Sequence, residues 1–149
     1  MRLAIYQPEI PGNLGAMLRL SACFGVAVDI IEPCGFAFSD KRMKRAGMDY
    51  IDHVDFARHS DWDTFVAAKH GRVILLSSKA STRLHDFVFA ADDVLLLGQE
   101  SAGVPDAVRD ACSAQLRIPL SPQVRSLNVS VAAGIALGEA LRQTGQLPT

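Results

Sequence analysis

The stretch Val94–Pro105, VLLLGQESAGVP, decides the fold class. It opens with four consecutive apolar residues and then turns at a glycine, which is typical of a strand buried on both faces of a parallel sheet. A strand covered on one face only would alternate apolar and polar residues. The same kind of run recurs at Leu3 to Tyr6, Val28 to Ile31 and Val73 to Leu76. Helical segments separate these runs, so the sequence predicts an α/β fold: a mostly parallel sheet covered by helices on both faces.

The weaker elements are predicted from capping residues and turn signals. Asn13 and Ser60 are good capping residues, so each is expected to begin a helix. The remaining expected elements are a helix from Leu14 to Gly25, a short basic helix between Ser39 and Gly47, a weak strand Asp52 to Asp55, a helix Ser60 to Lys69, a helix Pro105 to Ala111, a strand Leu116 to Ile118 and a final helix Leu127 to Gln143.

The composition is that of a folded globule. The chain has 149 residues, 49% of them hydrophobic and 21% charged, so we expect residues 1–149 to form a single domain with one core. The formal net charge of −1 means that any polyanion must be bound by a local basic patch. Three scattered cysteines, read as buried small residues, and the lack of a signal or membrane-spanning segment lead us to expect a cytoplasmic protein without a membrane partner.

Candidate functional residues follow the predicted strands. In open parallel sheets, ligands bind beyond the carboxyl ends of the strands, which places the loops after Leu76, Leu97 and Ile118 first. Gly98 and Gly103 would let backbone approach a ligand, and Glu100 between them could bind a ribose or order the loop. An ordinary turn is the alternative for this segment.

Two polar residues on the first helix also attract attention. Asn13 is read as a helix cap or as a functional residue. Arg19 lies among apolar residues, where a buried charge needs a partner or a ligand, although a guanidinium can also reach solvent along its own stem.

The segment Ile118–Gly134, IPLSPQVRSLNVSVAAG, places Ser126 and Asn128 at the start of a helix that has almost no polar face for three turns. Either residue could cap that helix. The apolar helix is expected to be buried all round, in part against another subunit.

With these residues identified, the sequence resembles the SPOUT class of α/β-knot RNA methyltransferases over essentially its full length. Three segments resemble the motifs of the class in order: EIPGNLGAMLRL, LLLGQESAGVP and IPLSPQVRSLNVSVAAGIAL. IEPCGF and DKRMKRAGMDY resemble the small tRNA (cytidine(34)-2′-O)-methyltransferases in particular. The resemblance implies a C-terminal trefoil knot, a homodimer with its active site at the interface, no metal, and 2′-O-methylation of the wobble nucleotide in the anticodon region of tRNA, from S-adenosyl-L-methionine.

The resemblance also implies roles for individual residues. The implied catalytic residues are Arg19, Asn13, Glu100, Ser126 and Asn128. Those implied to bind the cofactor are Leu76, Ser77, Ser78, Gly98, Gly103, Ile118, Leu120, Ser126 and Leu127. The candidate RNA-binding residues are Lys41, Arg42, Lys44, Arg45 and Arg125. The first four place four cations within five positions, which can engage phosphates or can form an ordinary solvated helix face. Since a guanidinium holds its proton firmly, the first role expected for Arg19 is electrostatic activation of the 2′-hydroxyl. Whether it also acts as the base stays open.

Two departures from the resemblance keep alternative functions open. Gly138 stands where similar proteins often carry a tyrosine, and Ala102 where an arginine is frequent. The alternatives are a 2′-O-methyltransferase acting on another tRNA or rRNA position, and a catalytically weak RNA-binding protein.

Overall fold

One parallel sheet organises the molecule. The computed structural model describes residues 1–39, 41, 50–68 and 71–149. Within these ranges the strands are β1 (Arg2–Tyr6), β2 (Ala27–Ile31), β3 (Phe56–His59), β4 (Val73–Leu76), β5 (Thr82–Arg83), β6 (Val94–Leu97) and β7 (Ala114–Arg117). Their order in the sheet is β3-β2-β1-β6-β4-β7-β5, and each pair of neighbours is parallel. The predicted parallel sheet is confirmed.

Helices cover both faces of this sheet. The described α-helices are α1 (Pro11–Phe24), α2 (Trp62–Ala68), α3 (Asp106–Asp110) and α4 (Val129–Thr144), with 3-10 turns at Ile51–His53 and Leu84–Asp86. Leu18 of α1 and Leu137 of α4 belong to the core on one face, while Phe65 of α2 and Val108 of α3 belong to the core on the other. None of the described helices combines the length and the apolar character required to cross a membrane.

The start of α1 differs from the prediction. The helix begins at Pro11, whose missing N–H costs nothing in the first turn, and Ile10 occupies the capping position without a side-chain cap. Asn13 therefore lies inside the first turn and does not cap the helix. Its side chain is free to bond to other elements.

Three other predicted boundaries are wrong. The segment expected to be a strand at 52–55 contains a 3-10 turn, because Ile51 is buried against the core, and the strand begins only at Phe56. Asp61, not Ser60, caps α2, since the Thr64 amide donates to Asp61 Oδ1 at 2.8 Å. The last strand is Ala114–Arg117 instead of 116–118. Most of the predicted basic helix between Ser39 and Gly47 lies outside the described residues.

Helix α4 shows one exposed apolar face. Its cap is as expected, because Asn128 Oδ1 accepts hydrogen bonds from the amides of Ser130 and Val131. In the single chain, however, Leu127, Val131 and Ile135 are 37%, 50% and 43% exposed. The helix is therefore not buried all round within one subunit, and its burial against another subunit stays a prediction. We call these three residues, spaced four apart, the exposed apolar row. Cys23 is also exposed, in contrast to the buried position expected for it.

Candidate active site

Four loops meet at one edge of the sheet. Strands β1, β6, β4 and β7 are consecutive in the sheet and parallel, so the segments that follow them leave from the same edge. Three of these are the loops singled out in the sequence, after Leu76, Leu97 and β7. The fourth is the β1–α1 loop, residues 7–10, which the strand-end argument had left out. The candidate site is built from this edge.

The turn after β6 is closed on itself. Gln99 and Gly103 exchange two backbone hydrogen bonds of 2.8 and 3.0 Å, and Gly103 has a positive φ of 64°. A Cβ on Gly98 would lie 2.7 Å from the carbonyl carbon of Gly103. Gly98 is thus required by the close approach of the turn's own backbone. We call residues Gly98–Gly103 the β6 turn.

A chain of side-chain hydrogen bonds joins the three sequence motifs. Asn128 Nδ2 donates to Asn13 Oδ1 at 3.0 Å, and Asn13 Nδ2 donates to Glu100 Oε1 at 3.2 Å. Glu100 Oε2 also accepts the amide of Glu9 at 3.1 Å. Of the five residues implied to be catalytic, the structure brings Asn13, Glu100 and Asn128 together. For Glu100, the loop-ordering alternative is the one that these contacts support.

Ser126 and Arg19 lie apart from that chain. Ser126 is exposed, as are all residues of the loop 121–128, and the hydrogen bonds that join the other three do not include it. Arg19 follows Asn13 by six residues, which places it about 240° round the helix and about 9 Å along it. It is exposed, and its guanidinium carbon lies 4.8 Å from the centre of the Tyr50 ring. Within one chain, Arg19 therefore lies on a different side of α1 from Asn13.

The β1–α1 loop supplies contacts that the sequence reading missed. Glu9 accepts hydrogen bonds from the amide and hydroxyl of Ser101, at 2.9 and 2.6 Å. Gln99 Nε2 donates to Gln7 Oε1 at 3.0 Å. Gln7 has a positive φ of 44°, a conformation that non-glycine residues adopt rarely and often at functional sites. The available signal was the position of Gln7 and Glu9 directly after a strand.

The remaining candidates line the same edge or lie outside it. Ser77 follows β4 directly, and its amide donates to the Leu116 carbonyl of the neighbouring strand at 2.8 Å. Partly buried members of the set are Leu76, Ser77, Gly98, Ile118 and Leu120; exposed members are Ser78, Gly103, Arg125, Ser126, Leu127 and Lys41. Arg42, Lys44 and Arg45 fall outside the described residues.

Comparison with known proteins places the chain in a family. A profile of the SpoU rRNA Methylase family matches residues 1–138. A tRNA (cytidine(34)-2′-O)-methyltransferase of Beijerinckia indica is 55% identical over 148 residues, which cover 97% of this chain and 92% of the relative.

Solved structures agree with this placement. One solved structure concerns the 2-OH methylation of C/U34 on tRNA and matches this chain with a TM-score of 0.90 at 41% identity. The match covers 95% of this chain and 94% of the other chain. An AdoMet-bound rRNA methyltransferase of Sinorhizobium meliloti has a TM-score of 0.83 at 28% identity, with 95% of this chain and 55% of its own chain covered. The chain therefore belongs to the SpoU methylase family, within the SPOUT class.

Proposed function

We propose that this protein methylates the 2′-hydroxyl of the wobble nucleotide of tRNA, cytidine or a modified uridine, with S-adenosylmethionine as the methyl donor, in the cytoplasm. The observation that carries the proposal is the 55% identity to a tRNA (cytidine(34)-2′-O)-methyltransferase along nearly the full length of both chains. The rRNA methyltransferase of Sinorhizobium meliloti, by contrast, is matched over only 55% of its own chain. The resemblance of the short relatives thus favours a tRNA target.

The edge formed by β6, β4 and β7 fits S-adenosylmethionine. Leu76, Ile118 and Leu120 are half-buried apolar residues at this edge, suited to cover a flat base. In the β6 turn, Gly103 has open space where a side chain would stand, which lets a ligand approach the main chain there closely. We assign cofactor binding to these residues together with Ser77, Ser78 and the segment 118–127.

The chemistry requires little covalent help from the protein. S-adenosylmethionine held by these residues would supply a sulfonium methyl group to the 2′-oxygen, with S-adenosylhomocysteine as the leaving group and the hydroxyl proton passing to water. The difficult part is making a ribose hydroxyl nucleophilic, because negative charge develops on its oxygen. A guanidinium close to that oxygen lowers the barrier electrostatically, and we assign this role to Arg19.

Arg19 reaches the site, in this proposal, from a second copy of the chain. Within one subunit it lies on a different side of α1 from Asn13 and Glu100, so the site is incomplete without a partner. The exposed apolar row, which begins just before α4 and continues along it, gives a second copy a surface to cover, and Ile10 and Val124 are also exposed apolar residues. A two-fold dimer would build two equivalent sites from both chains.

Basic residues outside the cofactor edge would hold the RNA backbone. Arg125 lies in the exposed loop beside Ser126, and Lys41 is exposed. Together with Arg42, Lys44 and Arg45 they provide five cations. That number is enough for an affinity for RNA that decreases steeply as the salt concentration rises.

The first experiment is transfer of a labelled methyl group from S-adenosylmethionine to tRNA that lacks wobble ribose methylation, followed by nuclease mapping of the label. The expected product carries the label as a 2′-O-methyl group at the first anticodon nucleotide. Arg19→Ala should reduce kcat by about 100- to 1,000-fold while cofactor binding stays normal. Label at another position would overturn the wobble assignment, and cofactor binding without any transfer would favour a non-catalytic RNA-binding role.

Mixing of inactive variants tests the shared site. Arg19→Ala and Glu100→Ala subunits each fail alone, but a heterodimer would combine an intact Glu100 cluster from one chain with Arg19 from the other. Random re-association should then restore about a quarter of the wild-type activity, since about half of the dimers are mixed and each has one intact site. No recovery, with mixed dimers demonstrated by mass spectrometry, would place Arg19 in the site of its own chain.

A further inference from the structure

The carboxylate of Glu9, which lies in the β1–α1 loop, forms hydrogen bonds with the β6 turn. Its Oε2 accepts the Ser101 amide at 2.9 Å and its Oε1 accepts the Ser101 hydroxyl at 2.6 Å, across 92 residues of sequence. These two hydrogen bonds lower the pKa of Glu9 below its ordinary value, the hydroxyl contributing most. The carboxylate is therefore ionised at neutral pH and binds the middle of the turn at two points.

The β6 turn depends on such external contacts for its orientation. Its internal hydrogen bonds join Gln99 to Gly103 and fix its shape, but they do not tie it to the rest of the molecule. Ties to neighbouring segments come from the Gln7–Gln99, Glu9–Ser101, Glu9–Glu100 and Glu100–Asn13 contacts. Among these, only Glu9 binds both a backbone amide and a side chain of the turn.

Glu9 makes a further contact with the turn through its backbone, and that backbone is held in place by a residue outside the turn. The Glu9 amide donates to Glu100 Oε2 at 3.1 Å. Outside the turn, the Gly35 amide donates to the Pro8 carbonyl at 2.9 Å, and a Cβ on Gly35 would lie only 3.0 Å from the Glu9 Cα. Gly35 therefore packs directly against the backbone that carries the carboxylate. A group fixed in this way can impose its position on the turn.

We propose that Glu9 is a positioning residue that sets the conformation of the β6 turn and, through it, the affinity of the site for S-adenosylmethionine. The proposal rests on the proposed function, which assigns the turn to cofactor binding. Glu9 acts through Ser101 and does not touch the reacting atoms. Its loss should therefore raise the Kd and KM for S-adenosylmethionine, while the KM for tRNA changes little.

The test is calorimetric titration of the full-length protein with S-adenosylmethionine in the absence of RNA. Glu9→Ala should weaken binding by roughly 3- to 30-fold, the range spanned by charge-assisted hydrogen bonds that are partly open to water. Glu9→Gln keeps one acceptor oxygen and should recover part of the affinity.

Asp61 offers a matched control. It accepts the amide of Thr64 at 2.8 Å and the Thr64 hydroxyl at 2.6 Å, the same pair of bonds, at the start of α2. That helix follows β3, three positions from β6 in the sheet. Asp61→Ala should leave the Kd for S-adenosylmethionine unchanged. An equal loss in this variant would mean that Glu9→Ala acts through general destabilisation, and would overturn the proposal.

Two further measurements distinguish a failure of the role proposed for Glu9 from a failure of the proposed function. Hydrogen exchange should show faster exchange of the Ser101 amide in Glu9→Ala, without cofactor present; unchanged exchange and unchanged Kd would overturn the role of Glu9 alone. In a double-mutant cycle, Glu9→Ala should cost less in a Ser101→Ala background than in the wild type, and additive effects would contradict a route through that side chain. If the wild-type protein does not bind S-adenosylmethionine, the proposed function fails instead.

Discussion

Replacement of Ile135 by alanine tests the proposed dimer most directly. Ile135 lies in the exposed apolar row and is 43% exposed in the single chain. Full burial of an isoleucine side chain contributes about 1.5–3 kcal/mol, so covering the remaining surface would contribute about 0.6–1.3 kcal/mol per copy. A two-fold interface contains the residue twice, which gives about 1.3–2.6 kcal/mol, or roughly a 10- to 80-fold increase in the dimer Kd. Alanine is a good helix former, so α4 should remain intact.

The assay is sedimentation velocity over a range of protein concentrations, with methyl transfer measured on the same samples. The expected result is a weaker dimer whose lost activity returns as the concentration rises. Leu147→Ala provides the control, because Leu147 is 45% exposed but lies in the C-terminal tail outside the row. An unchanged dimer Kd for Ile135→Ala, or a wild-type protein that is monomeric at micromolar concentration and still active, would refute the proposed interface.

Three other predictions follow from local geometry. Gly134→Ala on α4 should raise the free energy of unfolding by about 0.5–1 kcal/mol in urea titrations, because alanine is preferred over glycine in a helix. The new Cβ would meet only an ordinary contact at 3.9 Å. A loss of stability would mean that the helix has no room for this methyl group. Gly35→Ala should weaken S-adenosylmethionine binding although every hydrogen-bonding group is kept, because the new Cβ would push on the Glu9 backbone at 3.0 Å; calorimetry would show an unchanged Kd if that contact yields easily. Exposed Cys23 should react with a thiol reagent at pH 7.5 well before Cys34, whose pKa burial raises to about 11, as followed by mass spectrometry, and equal rates would contradict the burial of Cys34.

The central strands were predictable because burial on both faces demands an unbroken apolar run. The predicted bounds Val73–Leu76 and Val94–Leu97 match the structure residue for residue. Strand β3 was misplaced because its sequence, FARH, contains two polar residues that an outer strand tolerates. Strand β5 has only two residues, Thr82–Arg83, too few to leave a pattern.

The site was predictable only in part. The strand-end rule and the resemblance singled out Asn13, Glu100 and Asn128, and in the structure Asn13 forms hydrogen bonds with both of the others. The contact of Glu9 with Ser101 joins residues 92 positions apart and depends on β1 lying beside β6, which no local pattern reveals. The helix-cap reading of Asn13 failed because a proline at the first helical position moved the start of α1. The knot stays a prediction, as do the roles assigned to single residues.

The tight packing of Gly98 against Gly103 bears on how related sequences should be read. Since any side chain at Gly98 would collide with the backbone of the same turn, this glycine is needed for the chain to fold there whether or not a reaction takes place. A descendant that had lost its activity would therefore still carry it. Arg19 is exposed and contributes little to the core, so such a descendant could lose it freely. With the role proposed for Arg19, retention of the arginine, more than of the glycine, would mark the members of the family that still work as enzymes.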